Sequence, residues 1–165
     1  MRTKITLLLA LLLIVVQSKA TDPEAKIIAQ QNAPVEITSY SAVFRTGTKY
    51  SSEGIVHSIT YKNTSERTVA AMQFGLVSFD IWNEFLDRTG GITIEDVAPG
   101  GTDKGSWRAT AYADFTFLTG FAYVSKVRFS DGEIWIADLE AIAEEMRKIE
   151  QDFDVQKLEE DTANK

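Results

Sequence analysis

His57 is the only histidine in the 165 residues, and cysteine is absent. Thiol nucleophiles, thiolate metal sites, disulfides and multi-histidine metal sites are therefore excluded by counting. Any acid–base role for an imidazole falls on His57, which would need a nucleophile and an orienting partner within hydrogen-bond reach. On a strand face shared with Ile55, Ile59 and Tyr61, the simpler expectation is a histidine satisfied by its packing. The second concentration of chemistry is acidic: Asp80, Glu84 and Asp87, followed by Glu95 and Asp96. Several oxygen ligands converging from loops can hold calcium, but the fixed spacing of an EF-hand loop is missing. Carboxylates paired as in a glycosidase are present by residue type and unsupported by spacing. Solvated turn charge in an acidic chain explains them more simply. Trp82, Trp107 and Trp135 could line a carbohydrate or peptide groove, since an indole offers a flat apolar surface and one donor. Packing is their usual use; Trp82 stands apart because it sits among turn residues. Gly90-Gly91 and Gly100-Gly101 lack the spacing and the lysine of a phosphate loop and read as turns.

These residues sit behind a leader. Arg2 and Lys4 precede an unbroken apolar run over residues 7–16, and Ser18-Lys19-Ala20 places small residues where a signal peptidase reads. The run is about half the roughly twenty residues a membrane span needs, so residues 1–20 are expected to be a cleaved signal peptide and not an anchor. Three of the 17 basic residues lie in this leader and none of the 24 acidic ones does, leaving 14 against 24 and a net charge of −10 in the exported part. Such a chain is repelled by phosphate backbones, and no basic stripe offsets this, so nucleic acid is excluded as a partner. A cysteine-free exported domain points to a bacterial periplasmic or secreted protein. In a eukaryotic host Asn63-Thr64-Ser65 would be a glycosylation acceptor; otherwise it is a turn.

Residues 21–34 are polar and unpatterned and read as a flexible lead-in. Residues 35–137 carry short β-type runs between turns: 35–44, 54–62, 68–79, 92–94, 104–113, 121–129 and 133–137. In the third run Met72, Phe74 and Leu76 share one parity while Val77 and Phe79 share the other, which predicts a bulge at Gly75. Asp131-Gly132 predicts a tight primed turn closing the last hairpin. From Asp138 the period changes. Leu139, Ile142, Met146, Ile149 and Phe153 recur at three and four residues, predicting an amphipathic helix over residues 138–158 capped by Asp138, then a polar tail over 159–165. The stripe is expected on the chain's own sheet; the rival is a face, centred on Ile142, Met146 and Ile149, that docks on a partner.

The fold class expected is all-β dominated: an immunoglobulin-like antiparallel β-sandwich of about seven strands with a C-terminal amphipathic α-helix. An alternating strand after Gly54, Asn63-Thr64-Ser65, a long apolar strand ending in Leu76-Val77-Ser78-Phe79-Asp80, and Pro99-Gly100-Gly101 together resemble the FxLYD-type sandwich modules of exported bacterial proteins. The resemblance covers residues 35–137, rests on Phe79 and Asp80, and implies a binding or spacer module with no shared catalytic set. The function expected is thus a non-enzymatic, cofactor-free exported module that binds a protein or envelope component. The alternative is a loop-end calcium-dependent or carbohydrate-binding domain using Asp80, Trp82, Glu84 and Asp87. Mass spectrometry of protein recovered from an exporting host should find an N-terminus at Thr21; a retained leader would overturn the export reading.

Overall fold

The computed structural model describes residues 23–110 and 116–159. Within them the chain is mostly β. Strands β1 (Glu24–Ile27), β2 (Val35–Arg45), β3 (Gly54–Asn63), β4 (Val69–Asp80), β5 (Phe85–Thr93), β6 (Thr102–Ala109), β7 (Phe117–Phe129) and β8 (Ile134–Ile136) precede helix α1 (Leu139–Arg147) and a 3-10 turn, Val155–Leu158. They form a mixed five-stranded sheet, β1-β7-β4-β5 with β8 also on β7, and an antiparallel three-stranded sheet, β2-β3-β6. Residues 1–20, expected to be a signal peptide, and most of the polar tail lie outside the described residues, as do positions 111–113 of the expected fifth strand.

Apolar alternation explains the larger core. Ile37, Ile59 and Tyr61 from the small sheet meet Met72, Phe74, Leu76, Ala122, Val124 and Val127 from the large one. The opposite face of the large sheet carries a second core, where Val77, Phe79, Phe121 and Tyr123 lie under Ile142, Ala143 and Met146 of α1 and under Phe153 and Leu158. Thus β4 is apolar on both parities because both its faces are covered. Gly75 needs no bulge: its pairing runs unbroken, opposite Gly90 on one side and Tyr123 on the other. The extra residue is on β7, where Gln73 pairs with Lys126 and Phe74 with Val124, leaving Ser125 over. That bulge moves Phe121 and Tyr123 to the helix side and Val127 and Phe129 to the inter-sheet side, although all four share one parity. Gly75 is there because the Tyr123 ring crosses it, and a Cβ would lie 2.0 Å from that ring.

Four further expectations are corrected. The lead-in is not loose. β1 runs parallel to β7, Ile28 is buried, and the Gln30 amide bonds Val124 twice: Nε2 donates to the Val124 carbonyl at 3.0 Å and Oε1 accepts from its N–H at 2.7 Å. Beyond it β8 pairs with residues 126–128, and the Ala137 N–H reaches the Ser125 carbonyl. One edge of β7 is thereby completed by a strand, a side chain acting as a piece of backbone, and a second strand. Gly90-Gly91 is not a turn but lies inside β5, which starts well before the expected 92–94. The Trp107 indole lies against Gly91, where a Cβ would be 2.6 Å from the ring, and its Nε1 donates to the Ile92 carbonyl at 3.2 Å. The last hairpin closes through a three-residue loop, with Phe129 bonded to Glu133 and to Gly132. Gly132 alone takes a positive φ there, 94°, giving the bulged form of turn and not the primed one.

The helix is shorter than the apolar stripe. Asp138 caps it by accepting from the N–H groups of Glu140 and Ala141, and it ends at Arg147. Asp152 and Asp154 favour turns and caps over helix interiors; Asp154 accepts from the Gln156 N–H and starts the 3-10 turn. Arg147 spans the break, donating to the Phe153 carbonyl at 3.3 Å. Ile142, Met146, Phe153 and Leu158 still reach one core, each worth about 1.5 to 3 kcal/mol as an upper estimate. Replacing Gln30 by Ala should cost about 2 kcal/mol in urea unfolding, since a buried backbone pair loses both partners. Gln31→Ala at the exposed neighbour should cost under about 0.5 kcal/mol. Equal effects would refute the role given to Gln30.

Candidate functional site

Asp80, Trp82, Glu84 and Asp87 sit at and after one hairpin tip, but they do not form a ligand cage. Asp80 is buried, and its Oδ1 accepts the N–H of Trp82 at 2.8 Å and of Glu84 at 2.9 Å. The backbone closes the same loop from the Asp80 N–H to the Glu84 carbonyl, with Asn83 at a φ of 64°. Asp80 is thus the organiser of a three-residue turn. Glu84 is exposed, and Asp87 is half-buried within β5. Among the described residues no group of three or more histidines or carboxylates is placed to hold a metal ion. Trp82 projects from the tip, 72% exposed. Trp107 packs on Phe74 at 5.6 Å, and Trp135 packs on the inter-sheet core, so the three indoles line no common groove. Asn63 is fully buried, its Nδ2 donating to the carbonyls of Arg67 and Val97; it is a turn organiser.

His57 is sealed between the sheets, with no solvent exposure. The Tyr40 hydroxyl lies 2.8 Å from its Nδ1, the two rings are stacked, and Nε2 has no hydrogen-bond partner. Burial lowers the imidazole to a pKa of about 4 and pushes the Tyr40 phenol above its ordinary value. Both groups are therefore neutral at neutral pH, and the His57 imidazole is closed to solvent in this arrangement.

The helix stripe is likewise taken. Ile142 and Met146 are buried against the chain's own sheet, and Ile149 packs at the border of the same core. A partner cannot use those side chains without first lifting the helix away.

The open surface lies elsewhere, on the half of the large sheet that α1 does not cover. Register places Ile92, Gln73, Lys126 and Ile136 in one row across four strands, and Ala71, Arg128 and Ile134 in the next. Directly paired residues share a face, so all seven project from the helix side of the sheet. Ile92, Ile134 and Ile136 are 59%, 51% and 62% exposed, and Ile94, two residues beyond Ile92, is 80% exposed. Residues three strands apart are about 14 Å apart. The isoleucines therefore form two walls, with the stems of Lys126 and Arg128 on the floor between them; Ala71, Gln73, Ile92, Lys126, Arg128 and Ile134 line one shallow groove. Sequence reasoning passed over these isoleucines because they look like core. The signal available was Lys126 and Arg128, two cations on one parity of an otherwise apolar strand.

No family model matches the chain, and no curated protein matches it in sequence. Among solved structures, a hypothetical protein from Peptoclostridium difficile 630 is similar with a TM-score of 0.51 at 10% identity, over 72% of this chain and 92% of that one. A Northeast Structural Genomics Consortium target, SoR45, aligns over 62% of this chain and 78% of its own at 16% identity and a TM-score of 0.40. The first likeness concerns the fold alone.

The buried imidazole makes stability depend on pH. Its folded pKa of about 4 lies below the unfolded value of 6.5, so the unfolded chain takes up the proton first as pH falls. The contribution is complete above about pH 7, drains away between 6.5 and 4, and levels off below; about two and a half units correspond to roughly 3 kcal/mol. Unfolding at pH 7, 5.5 and 4 should show this loss, and the double variant Tyr40→Phe, His57→Leu should lack it. A His57 pKa above 6 by NMR titration would contradict the burial argument.

Proposed function

We propose that the chain is an exported, non-enzymatic binding module built on an immunoglobulin-like β-sandwich. Strand order supports the fold reading: β2-β3-β6 and β8-β7-β4-β5 follow the order A-B-E and G-F-C-C′ of such sandwiches, with β1 an added strand at the edge of β7. The FxLYD resemblance rests on Phe79 and Asp80, and both have structural work here, Phe79 beneath the helix and Asp80 folding the turn. Export is supported by the leader over residues 1–20. No helix among the described residues is long and apolar enough to cross a membrane.

The observation that carries the binding reading is the open sheet face. Three isoleucines more than half exposed on one side of a sheet, Ile92, Ile134 and Ile136, are costly to leave in water, and a clustered apolar surface of this kind marks an interaction site. The groups that could do chemistry are occupied otherwise: His57 is enclosed, Asp80 holds a turn, and the remaining carboxylates are dispersed. The partner on this reading is a protein or an envelope component.

The purified protein should turn over none of a panel of esters, glycans and peptides; turnover of any would end the non-enzymatic reading. In hydrophobic-interaction chromatography the double variant Ile134→Ser, Ile136→Ser should elute markedly earlier with a melting temperature within about 2 °C of the parent. Unchanged retention would mean that this face is not presented in solution.

A further inference from the structure

We infer that the end of the sandwich bearing the β4–β5 turn rests on a lipid bilayer surface, with Ile81 and Trp82 entering the headgroup layer. The inference rests on the export reading above, since an exported chain meets the bilayers of the envelope, but its site is not the open sheet face. Strand register brings two described loops, 46–53 and 81–84, to this end: Arg45 pairs with Gly54 and Asp80 with Phe117, and Ala42, Ile55 and Phe117 pack together just beneath. Ile81 and Trp82 are 51% and 72% exposed at one loop tip, and Tyr50 is 89% exposed on the other loop, with Lys49 Nζ 5.5 Å from its ring. Tryptophan and tyrosine favour the headgroup level, where a ring meets apolar chains on one side and water on the other, and a lysine beside them reaches back to water.

The backbone of the tip selects lipid over a polar partner. A segment that enters a bilayer must satisfy its amides from within. Here four successive N–H groups have internal acceptors: Ile81 donates to the Thr116 carbonyl at 2.9 Å, Asn83 to the Asp80 carbonyl at 3.0 Å, and Trp82 and Glu84 to Asp80 Oδ1 at 2.8 and 2.9 Å. A buried carboxylate thus closes the donors of a tip whose side chains are left in water. Asn83, at a φ of 64°, fixes the shape of the turn, so little freedom is lost on contact. Such a tip offers a protein partner no amide for recognition, whereas it offers a bilayer two apolar side chains above a closed row of donors. Charge agrees with this. The exported part carries a net −10, yet the described residues of these loops and their flanks set Arg45, Lys49 and Arg108 against Glu53, Asp80 and Glu84, with Arg108 held there by the Ser52 carbonyl. That end is therefore balanced, and it meets a zwitterionic surface without repulsion.

Phosphatidylcholine vesicles carrying a headgroup nitroxide, added to isotopically labelled full chain from an exporting host, test this directly. At millimolar lipid the Trp82 indole resonance should broaden relative to the same vesicles without the label, while those of Trp107 and Trp135 change little. Co-sedimentation with the vesicles should fall about tenfold or more for Ile81→Ser with Trp82→Ser, and less for Tyr50→Ser. Both variants should keep the melting temperature within about 2 °C of the parent, because the replaced side chains are exposed. Salt should change the binding little. Vesicle binding that survives the tip pair and is removed by Ile134→Ser with Ile136→Ser overturns the inference and moves the contact to the sheet face, leaving the binding reading intact. No broadening at Trp82 together with no co-sedimentation overturns it as well, while the chromatography of the sheet face decides the binding reading on its own.

Discussion

The pairing of β4 with β7, two strands buried on both faces, is the constraint on which the other elements depend. A strand pair whose side chains are apolar in both directions is stable only with a layer on each side. The small sheet supplies one layer through Ile37, Ile59 and Tyr61, and the C-terminal segment supplies the other through Ile142, Met146 and Phe153. Ser125, the extra residue on β7, lets one strand serve two cores by turning Val127 and Phe129 away from the side that Phe121 and Tyr123 occupy. The two layers differ in reach. Nine helical residues span about 13 Å, whereas the 13 residues of β7 span about 43 Å. Even with the 3-10 turn added, the helix layer ends before the sheet does, and the uncovered remainder is the groove between the isoleucine walls.

What the sequence disclosed follows from this division. Strands with one buried face, such as β3 with Ile55, His57, Ile59 and Tyr61, announce themselves by alternation. Where both faces are buried, parity stops carrying information; the change of parity in β4 therefore predicted a bulge at Gly75 when the extra residue was Ser125 on the neighbouring strand. The sequence of β5 looks shorter than the strand because Asp87, Arg88, Thr89 and two glycines resemble a loop, and the reason for Gly91 lies in Trp107, on another strand. β1 has four exposed residues and no apolar pattern; it is held by backbone hydrogen bonds that no side-chain pattern encodes. The helix stripe was legible, but the break after Arg147 is set by capping at Asp154 and by the Arg147 bond to the Phe153 carbonyl.

The candidate site was harder to read for a related reason. Asp80 and His57 were singled out by type, and both turned out to be polar groups consumed by the architecture, one by backbone amides and the other by Tyr40. Ile92, Ile134 and Ile136 were indistinguishable from core residues because a strand sequence does not say whether a covering layer exists. Only the shortness of α1 relative to β7 exposes them.

The edge of β7 that Gln30 helps to complete also says something about the order of events during folding. Gln30 and Val124 are separated by 94 residues, so this junction requires one of the longest loop closures in the chain and belongs late in assembly. Until β1 and Gln30 arrive, β7 presents a row of open amides and carbonyls around Ala122 and Val124, the kind of edge that recruits strands from other molecules. The short N-terminal strap thus covers an edge that would otherwise be open to pairing with other strands, and a single glutamine side chain supplies the hydrogen bonds beyond its end.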